Sequence, residues 1–355
     1  MIMHIISNTV FAPMYIKFIN INFGNEIHKF IIYGENKYLK IEKLTGSNLI
    51  FIKEETELKN YKIYLGNSEK IIIHGLFGIE IKILFLNPMY LKKMYLVFWG
   101  GDIYSFRNKI MYKDIKGIFK KILKKYIIAN SCANINLTKE DYMMLCRYCK
   151  PAKKHFIANY IEDEKNWTLK KKIRNIKKMQ SPYMILVGNS ATVENQHLEI
   201  LEKLAVYKNE NIQIICPLSY GNQDYSEKVI ENGKKIFGDK FKELTEYMYL
   251  TEYWELLNKC CVGIFNNNRQ QGMGNIISLG YFGAKVYIRH DTSMWREFIH
   301  DAGCCFFDVE NVGKVNFKEF ISISDKDIET NYNRISEWCG EERSVKLWKT
   351  IFQDK

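Results

Sequence analysis

Asn266-Asn267-Asn268-Arg269-Gln270-Gln271-Gly272-Met273-Gly274-Asn275 separates an apolar run at 262–265 from an apolar-periodic segment at 276–282. The order reads as strand, polar turn, helix. The turn offers an arginine fork, two carboxamides and two glycines where a helix N-terminus exposes unpaired backbone N–H groups. Such a corner suits an anionic, hydrogen-bond-rich ligand, a nucleotide diphosphate above all. A second corner of the same design lies upstream: Tyr183-Met184-Ile185-Leu186-Val187, then Gly188-Asn189-Ser190-Ala191-Thr192, then a helix through Asn195 and His197. Two such corners in one α/β half predict a sugar-nucleotide site.

Around them the second half alternates strands and helices. Strands are expected at 183–187, 212–216, 262–265, 285–288 and 304–306. Helices are expected at 194–207, 225–237, 251–259, 274–282 and 294–301, with a last amphipathic helix at 336–353. This alternation predicts a parallel sheet with helices on both faces. Ligands of such sheets sit beyond the strand carboxyl ends, where both corners lie. The first half has β-rich runs at 1–6, 27–33, 71–73 and 94–99. The alternation at 79–83 and the apolar triplet 127–129 read as further strands. Helices are expected at 113–126 and 138–149, the second opening on Thr138-Lys139-Glu140-Asp141 as an N-cap with acidic first turn.

At 355 residues two domains are expected. Between 162 and 180 the composition turns strongly charged before Ser181-Pro182 starts a new strand. The domains are therefore placed at 1–165, 180–330 and 331–355, the last a C-terminal helix packing back toward the first. With 47% hydrophobic and 26% charged residues the chain is a folded protein rather than a disordered one. The apolar region 71–85 is interrupted by His74, Glu80 and Lys82, too early for a transmembrane helix. The N-terminus reads as a strand rather than a signal peptide. Nine cysteines at irregular spacing point to reduced thiols and a cytoplasmic protein. Cys146-Arg147-Tyr148-Cys149 is a lone CxxC, read as a plain helical position.

The net charge of +12 is concentrated in part at 113–125, where Ile115, Ile118, Phe119 and Ile122 fall at helical spacing among six lysines. The stripe either docks the helix on its sheet and leaves the lysines solvated, or the lysines draw the protein to an anionic membrane surface. No nucleic-acid motif accompanies the charge.

Val187-Gly188-Asn189-Ser190 with Asn195 and His197, Arg269-Gln270-Gln271-Gly272-Met273-Gly274, Trp295, and Trp99-Gly100-Gly101-Asp102-Ile103-Tyr104 together resemble glycosyltransferase family 56. The visible resemblance covers about residues 70–310. It implies the GT-B architecture, two doubly wound Rossmann-like domains facing a cleft. It also implies transfer of a 4-acetamido-4,6-dideoxyhexose from a TDP-sugar to an undecaprenyl-diphosphate-linked oligosaccharide of enterobacterial common antigen type. Such an enzyme sits peripherally on the cytoplasmic side of the inner membrane. No metal or cofactor is expected, and the partners are a nucleotide sugar and a lipid-linked acceptor.

The chemistry of transfer then assigns roles. The departing diphosphate needs fixed positive charge and N–H donors. Arg269 supplies a bidentate guanidinium. Gly272 and Gly274 let the backbone come close, while Gln270, Gln271 and Asn275 face sugar hydroxyls or a pyrimidine edge. Gly188, Asn189 and Ser190 complete the donor side, with Ser190 and Thr192 alternatively capping the next helix. Asp102 and His74, each after an apolar strand and beside glycine, are the candidate bases. The plain alternative makes Asp102 a turn cap and His74 a satisfied core imidazole. Asp325-Lys326-Asp327 has the form of a metal-binding DxD but lies in a polar stretch and reads as solvated charge. Gly272-x-Gly274-x-x-Ile277 lacks the third glycine of a dinucleotide fingerprint, which disfavours a NAD oxidoreductase. A non-catalytic membrane- or polyanion-binding protein of the same fold is the other rival.

Overall fold

The computed structural model describes residues 1–9, 11–34, 46–107, 114–160, 164–174 and 181–355, the side chains of 164–166 excepted. The chain forms two compact units, Met1–Glu162 with Glu341–Lys355, and Asp163–Gly340. Among the described residues the first unit has seven parallel strands: β1 (Ile2–Ser7), β2 (His28–Tyr33), β3 (Leu49–Ile52), β4 (Lys70–His74), β5 (Met94–Phe98), β6 (Ala133–Asn136) and β7 (Lys154–Ile157). They lie in the order β3-β2-β1-β4-β5-β6-β7. The second has six, β8 (Tyr183–Val187), β9 (Ile212–Pro217), β10 (Phe241–Leu244), β11 (Cys260–Phe265), β12 (Lys285–Ile288) and β13 (Phe307–Asp308), in the order β10-β9-β8-β11-β12-β13. Each sheet reverses its winding beside its first strand, at β1/β4 and at β8/β11. Such reversals open a crevice at the strand carboxyl ends.

The central strands β4 and β5 are buried along their whole length. That is why residues 71–73 and Met94–Phe98 read as apolar runs without alternation: a parallel sheet covered on both faces has no solvent side to alternate toward. One face of the first sheet (Met3, Ile5, Ile71, Ile73, Leu96) packs on Ile79, Ile83, Ile127 and Leu145. The other (Ile6, Phe30, Ile72, Val97) packs on Tyr15, Ile16 and Ile19 and on Trp348 and Ile351. The last two belong to the Glu341–Gln353 helix, so the C-terminus completes the first unit. Trp348 Nε1–H donates to Asn159 O at 2.9 Å. Asp354 accepts from the Tyr95 hydroxyl at 2.6 Å and from Lys154 Nζ at 2.9 Å.

Several elements differ from expectation. The 79–83 run is the helix Ile79–Leu86. Ile79 and Ile83 share its inner face, and the charged Glu80 is buried with them because its carboxylate accepts from Gly78 N–H (2.8 Å) and faces Lys124 Nζ at 3.7 Å. The 127–129 triplet is the last turn of the helix Ile115–Asn130, and the strand begins only at Ala133. The strand expected at 304–306 is shifted to Phe307–Asp308, because Cys305 spends its backbone N–H and C=O on the Asn331 carboxamide (2.6 and 3.2 Å). The final helix is two helices, Asp325–Trp338 and Glu341–Gln353. The first packs on Gly280 and Gly283 through Ile335 and Ile328, so the chain passes to the first unit at 340 rather than at 330. The helix Phe11–Phe23 and strands β3, β6, β7 and β10 were not anticipated. The Thr138 cap is present, its hydroxyl accepting Asp141 N–H at 3.0 Å.

Candidate active site

β8 and β11 are neighbours at the winding reversal, so the two polar corners leave the sheet side by side. They are joined by hydrogen bonds. Gln271 Nε2 donates to Ser190 Oγ at 2.7 Å and to Thr192 Oγ1 at 2.9 Å, and Asn267 Nδ2 donates to Asn189 Oδ1 at 3.0 Å. Asn195 braces the first corner from below: its Oδ1 accepts Asn189 N–H (2.9 Å) and its Nδ2 reaches Thr192 Oγ1 (2.8 Å). The glycines are sterically required. Gly188 has φ 70°, and a Cβ there would lie 2.3 Å from His197 Nε2; Gly272 has φ 69°, and its Cβ would lie 2.9 Å from Asn189 Oδ1. Gly274, by contrast, faces open space.

The Met273–Phe282 helix begins at Gly272 with no side-chain cap and no acidic residue in its first turn. Its first N–H groups and the positive end of its dipole are thus left for a ligand. Arg269 stands beside this start, half-buried, its Nε 3.7 Å from Glu194 Oε1 and its Nη1 donating to Gln270 O at 3.3 Å. That loose pairing leaves guanidinium donors for an anion. Gln270 is buried, and Asn275 Nδ2 donates to the Tyr253 hydroxyl at 2.9 Å.

Sequence reasoning missed several neighbours. The Tyr220 hydroxyl accepts from Asn189 Nδ2 at 3.1 Å. Gln196 is the one non-glycine residue of positive φ (52°) among the described residues, and it accepts from Arg289 Nη1 at 3.1 Å. Tyr220 sits on a loop with no periodic signal, and Gln196 falls inside the helix expected at 194–207, which instead starts at His197. His197 is fully buried with its Nε2 against Gly188, and burial lowers its pKa to about 4, so the ring is neutral there. Trp295 packs half-buried on the core. Asp325 and Asp327 form the first turn of a helix capped by Ser324, whose Oγ accepts Asp327 N–H at 3.1 Å; the DxD is a helix start.

In the first unit both expected bases lie at strand carboxyl ends, and both are buried. Asp102 accepts backbone N–H bonds from Leu76 (3.1 Å), Trp99 (3.0 Å) and Ile103 (3.0 Å). Burial outweighs these bonds and raises its pKa to about 6. His74 is engaged at both ring nitrogens: Nδ1 with the Tyr160 hydroxyl, Nε2 with His4 Nδ1 at 3.3 Å. His4 Nε2 meets His28 Nδ1 at 2.9 Å, and Trp99 Nε1–H donates to the Tyr160 hydroxyl at 2.8 Å. Burial lowers His74 to about 3 and His28 to about 4. His74 is therefore the satisfied core imidazole, a neutral link in a buried chain, and is closed to an acceptor hydroxyl. Asp141, read only as a first-turn acid, is buried too. Burial raises its pKa to about 7 against the pull of Thr138, with the Asp102 and Glu140 charges adding.

A family model described as 4-alpha-L-fucosyltransferase, glycosyl transferase group 56, matches residues 10–329. The chain belongs to glycosyltransferase family 56. The match reaches well beyond the stretch whose motifs are visible by eye. This family 56 chain is a hexosyltransferase, and its fold recurs in solved structures across its full length. Anabaena HepE, crystallised with UDP and glucose, superposes with a TM-score of 0.71 at 10% identity over 100% of both chains. A glycosyltransferase from Rickettsia africae gives 0.68 at 13% identity over 100% of this chain and 99% of that one. Sucrose-phosphate synthase from Thermosynechococcus elongatus gives 0.69 at 10% over 99% and 98%. At such identities the likeness speaks for the fold alone: two doubly wound α/β units of the GT-B class. No helix among the described residues of the family 56 chain is long and apolar enough to cross a membrane.

Proposed function

We propose that this hexosyltransferase moves a 4-acetamido-4,6-dideoxyhexose of N-acetylfucosamine type from a TDP-sugar to an undecaprenyl-diphosphate-linked oligosaccharide. The product enters a bacterial surface polysaccharide of the enterobacterial common antigen kind. In this reading the protein works in the cytoplasm, held peripherally on the inner membrane, and calls on no metal or cofactor.

The observation that carries the donor half is the hydrogen-bonded union of the β8 and β11 corners beside an uncapped helix start. Arg269 and the first N–H groups of that helix take the diphosphate, and the charge developing on it is stabilised without reorganisation. Gly188, Asn189, Ser190, Gln270, Gln271, Gly272, Gly274 and Asn275 shape the rest of the donor cradle. A fold neighbour that holds UDP and a hexose adds support for a nucleotide sugar. Asp102, at the carboxyl end of β5 and raised by burial to about 6, is the candidate that remains as base for the acceptor hydroxyl.

Thermal-shift screening against TDP, UDP, GDP and NAD tests the donor, since a ligand of the native state raises the midpoint. TDP is expected to stabilise most. Stabilisation by NAD alone would move the protein to the oxidoreductases, and a TDP shift without product by mass from TDP-sugars and lipid-linked acceptors would leave a binding protein.

A further inference from the structure

The helix Ile115–Asn130 turns its apolar stripe outward. At 3.6 residues per turn, Ile115, Ile118, Phe119, Ile122 and Tyr126 share one face. All five are exposed, Ile115 at 85% and Ile122 at 58%. The inward face is another set, Leu123, Lys124, Ile127 and Ile128. Lys124 lies along the core edge, donating to Leu76 O and facing Glu80. Phe85 (68%) and Met89 (59%), on the elements packed beside this helix, add to the exposed apolar surface. Lys116 flanks the stripe on one side and Lys121 and Lys125 on the other, while Lys120 stands toward the inward side near Gly78, and the helix itself carries no acidic residue.

A bare apolar patch of this kind marks an interaction site, and an apolar stripe with lysines at its flanks is the pattern of a helix lying in a membrane interface. We propose that this stripe inserts, in plane, into the acyl boundary of an anionic bilayer while the flanking Lys116, Lys121 and Lys125 meet the headgroups. A second copy of the chain is a poor occupant, because two such faces would bring their flanking lysines together. The proposal rests on the reading of a lipid-borne acceptor for its purpose, but docking is read without donor or acceptor.

Co-sedimentation of the full chain with vesicles of phosphatidylcholine, alone or mixed with phosphatidylglycerol, tests it. Binding to the mixed vesicles is expected to be about tenfold tighter or more and to survive in part at high salt, where lysines alone would let go. Phe119→Ser with Ile122→Ser, both exposed positions, is expected to lower binding about tenfold while the TDP-induced thermal shift stays unchanged. The emission of a Phe119→Trp variant is expected to shift to the blue on adding mixed vesicles. Undiminished binding by the double variant, or emission that does not move, overturns the insertion. A dimer in solution that the double variant converts to a monomer, with vesicle binding unaltered, overturns it in favour of an interface between copies. Loss of the TDP shift with docking intact would instead sink the transferase reading and leave the docking surface standing.

Discussion

A methyl group on Gly274 would meet no protein atom, whereas one on Gly188 or Gly272 would strike a neighbouring side chain. That contrast separates glycines the fold needs from one whose open side the proposed donor would occupy. Gly274→Ala is expected to leave thermal stability unchanged or raise it by up to about 1 kcal/mol, the helix-propensity gain. TDP binding is expected to weaken about tenfold or more, because the backbone loses its close approach. Arg269→Ala, which removes the charge itself, is expected to abolish the TDP-induced shift. Unchanged TDP affinity in either variant would take that residue out of the cradle. The corner was legible because strand period, polar turn and helix period follow one another within a few residues, and the glycines mark the turns. His74 was not legible. Its role depends on His4, His28 and Tyr160, brought to it from distant strands and loops, and no local pattern records such a chain.

Asp102 works at the level of elements. Its carboxylate ties the backbone after β4 (Leu76) to the backbone after β5 (Trp99 and Ile103). An asparagine offers one oxygen where the carboxylate offers two, and turns an amide N–H toward backbone donors. Asp102→Asn is therefore expected to cost about 1.5–3 kcal/mol, seen as a lowered Tm. If Asp102 is also the base, transfer falls about 100-fold or more while the TDP shift, which belongs to the other unit, is kept. Full transfer activity in this variant would remove Asp102 as base. Element types were readable where a short continuous apolar run is bounded by turn residues, as in β8, β11 and β12, strands with no solvent side to alternate toward. They were misread where a partner elsewhere decides. The 79–83 alternation became a helix that buries Glu80, whose carboxylate accepts from Gly78 N–H and faces Lys124 at 3.7 Å. In the Ile115–Asn130 helix the periodicity was visible, but not that the more apolar stripe is the one facing out.

Taken over the whole molecule, burial sets two opposing pH dependences. His74, His28 and His197 titrate near 3–4 in the folded state, lowered by burial from 6.5. Below pH 6.5 the unfolded chain binds protons that these native rings refuse, so their contribution to stability is lost as pH falls toward 4. Asp102 and Asp141 run the other way. Their folded pKa values of about 6 and about 7 lie above the carboxylate norm of 3.8, so the native state binds the extra protons. Stability from these two is whole below pH 4 and declines as pH rises through 6 and 7. Asp141 gives the cleaner test, because among the described residues its carboxyl oxygens make no hydrogen bond of ordinary geometry. Asp141→Asn removes the cost of an ionised carboxylate while keeping its shape. A shift of about three units corresponds to at most ~4 kcal/mol. The variant is expected to match the wild type near pH 4, to gain stability from pH 4 to 7, and to hold that gain above pH 7.5. Tm measured for both proteins at pH 4.5 and pH 8 checks it. A gain equal at the two pH values would mean that packing, not the buried charge, separates the variants; no gain at pH 8 would mean that the interior already meets the ionised Asp141.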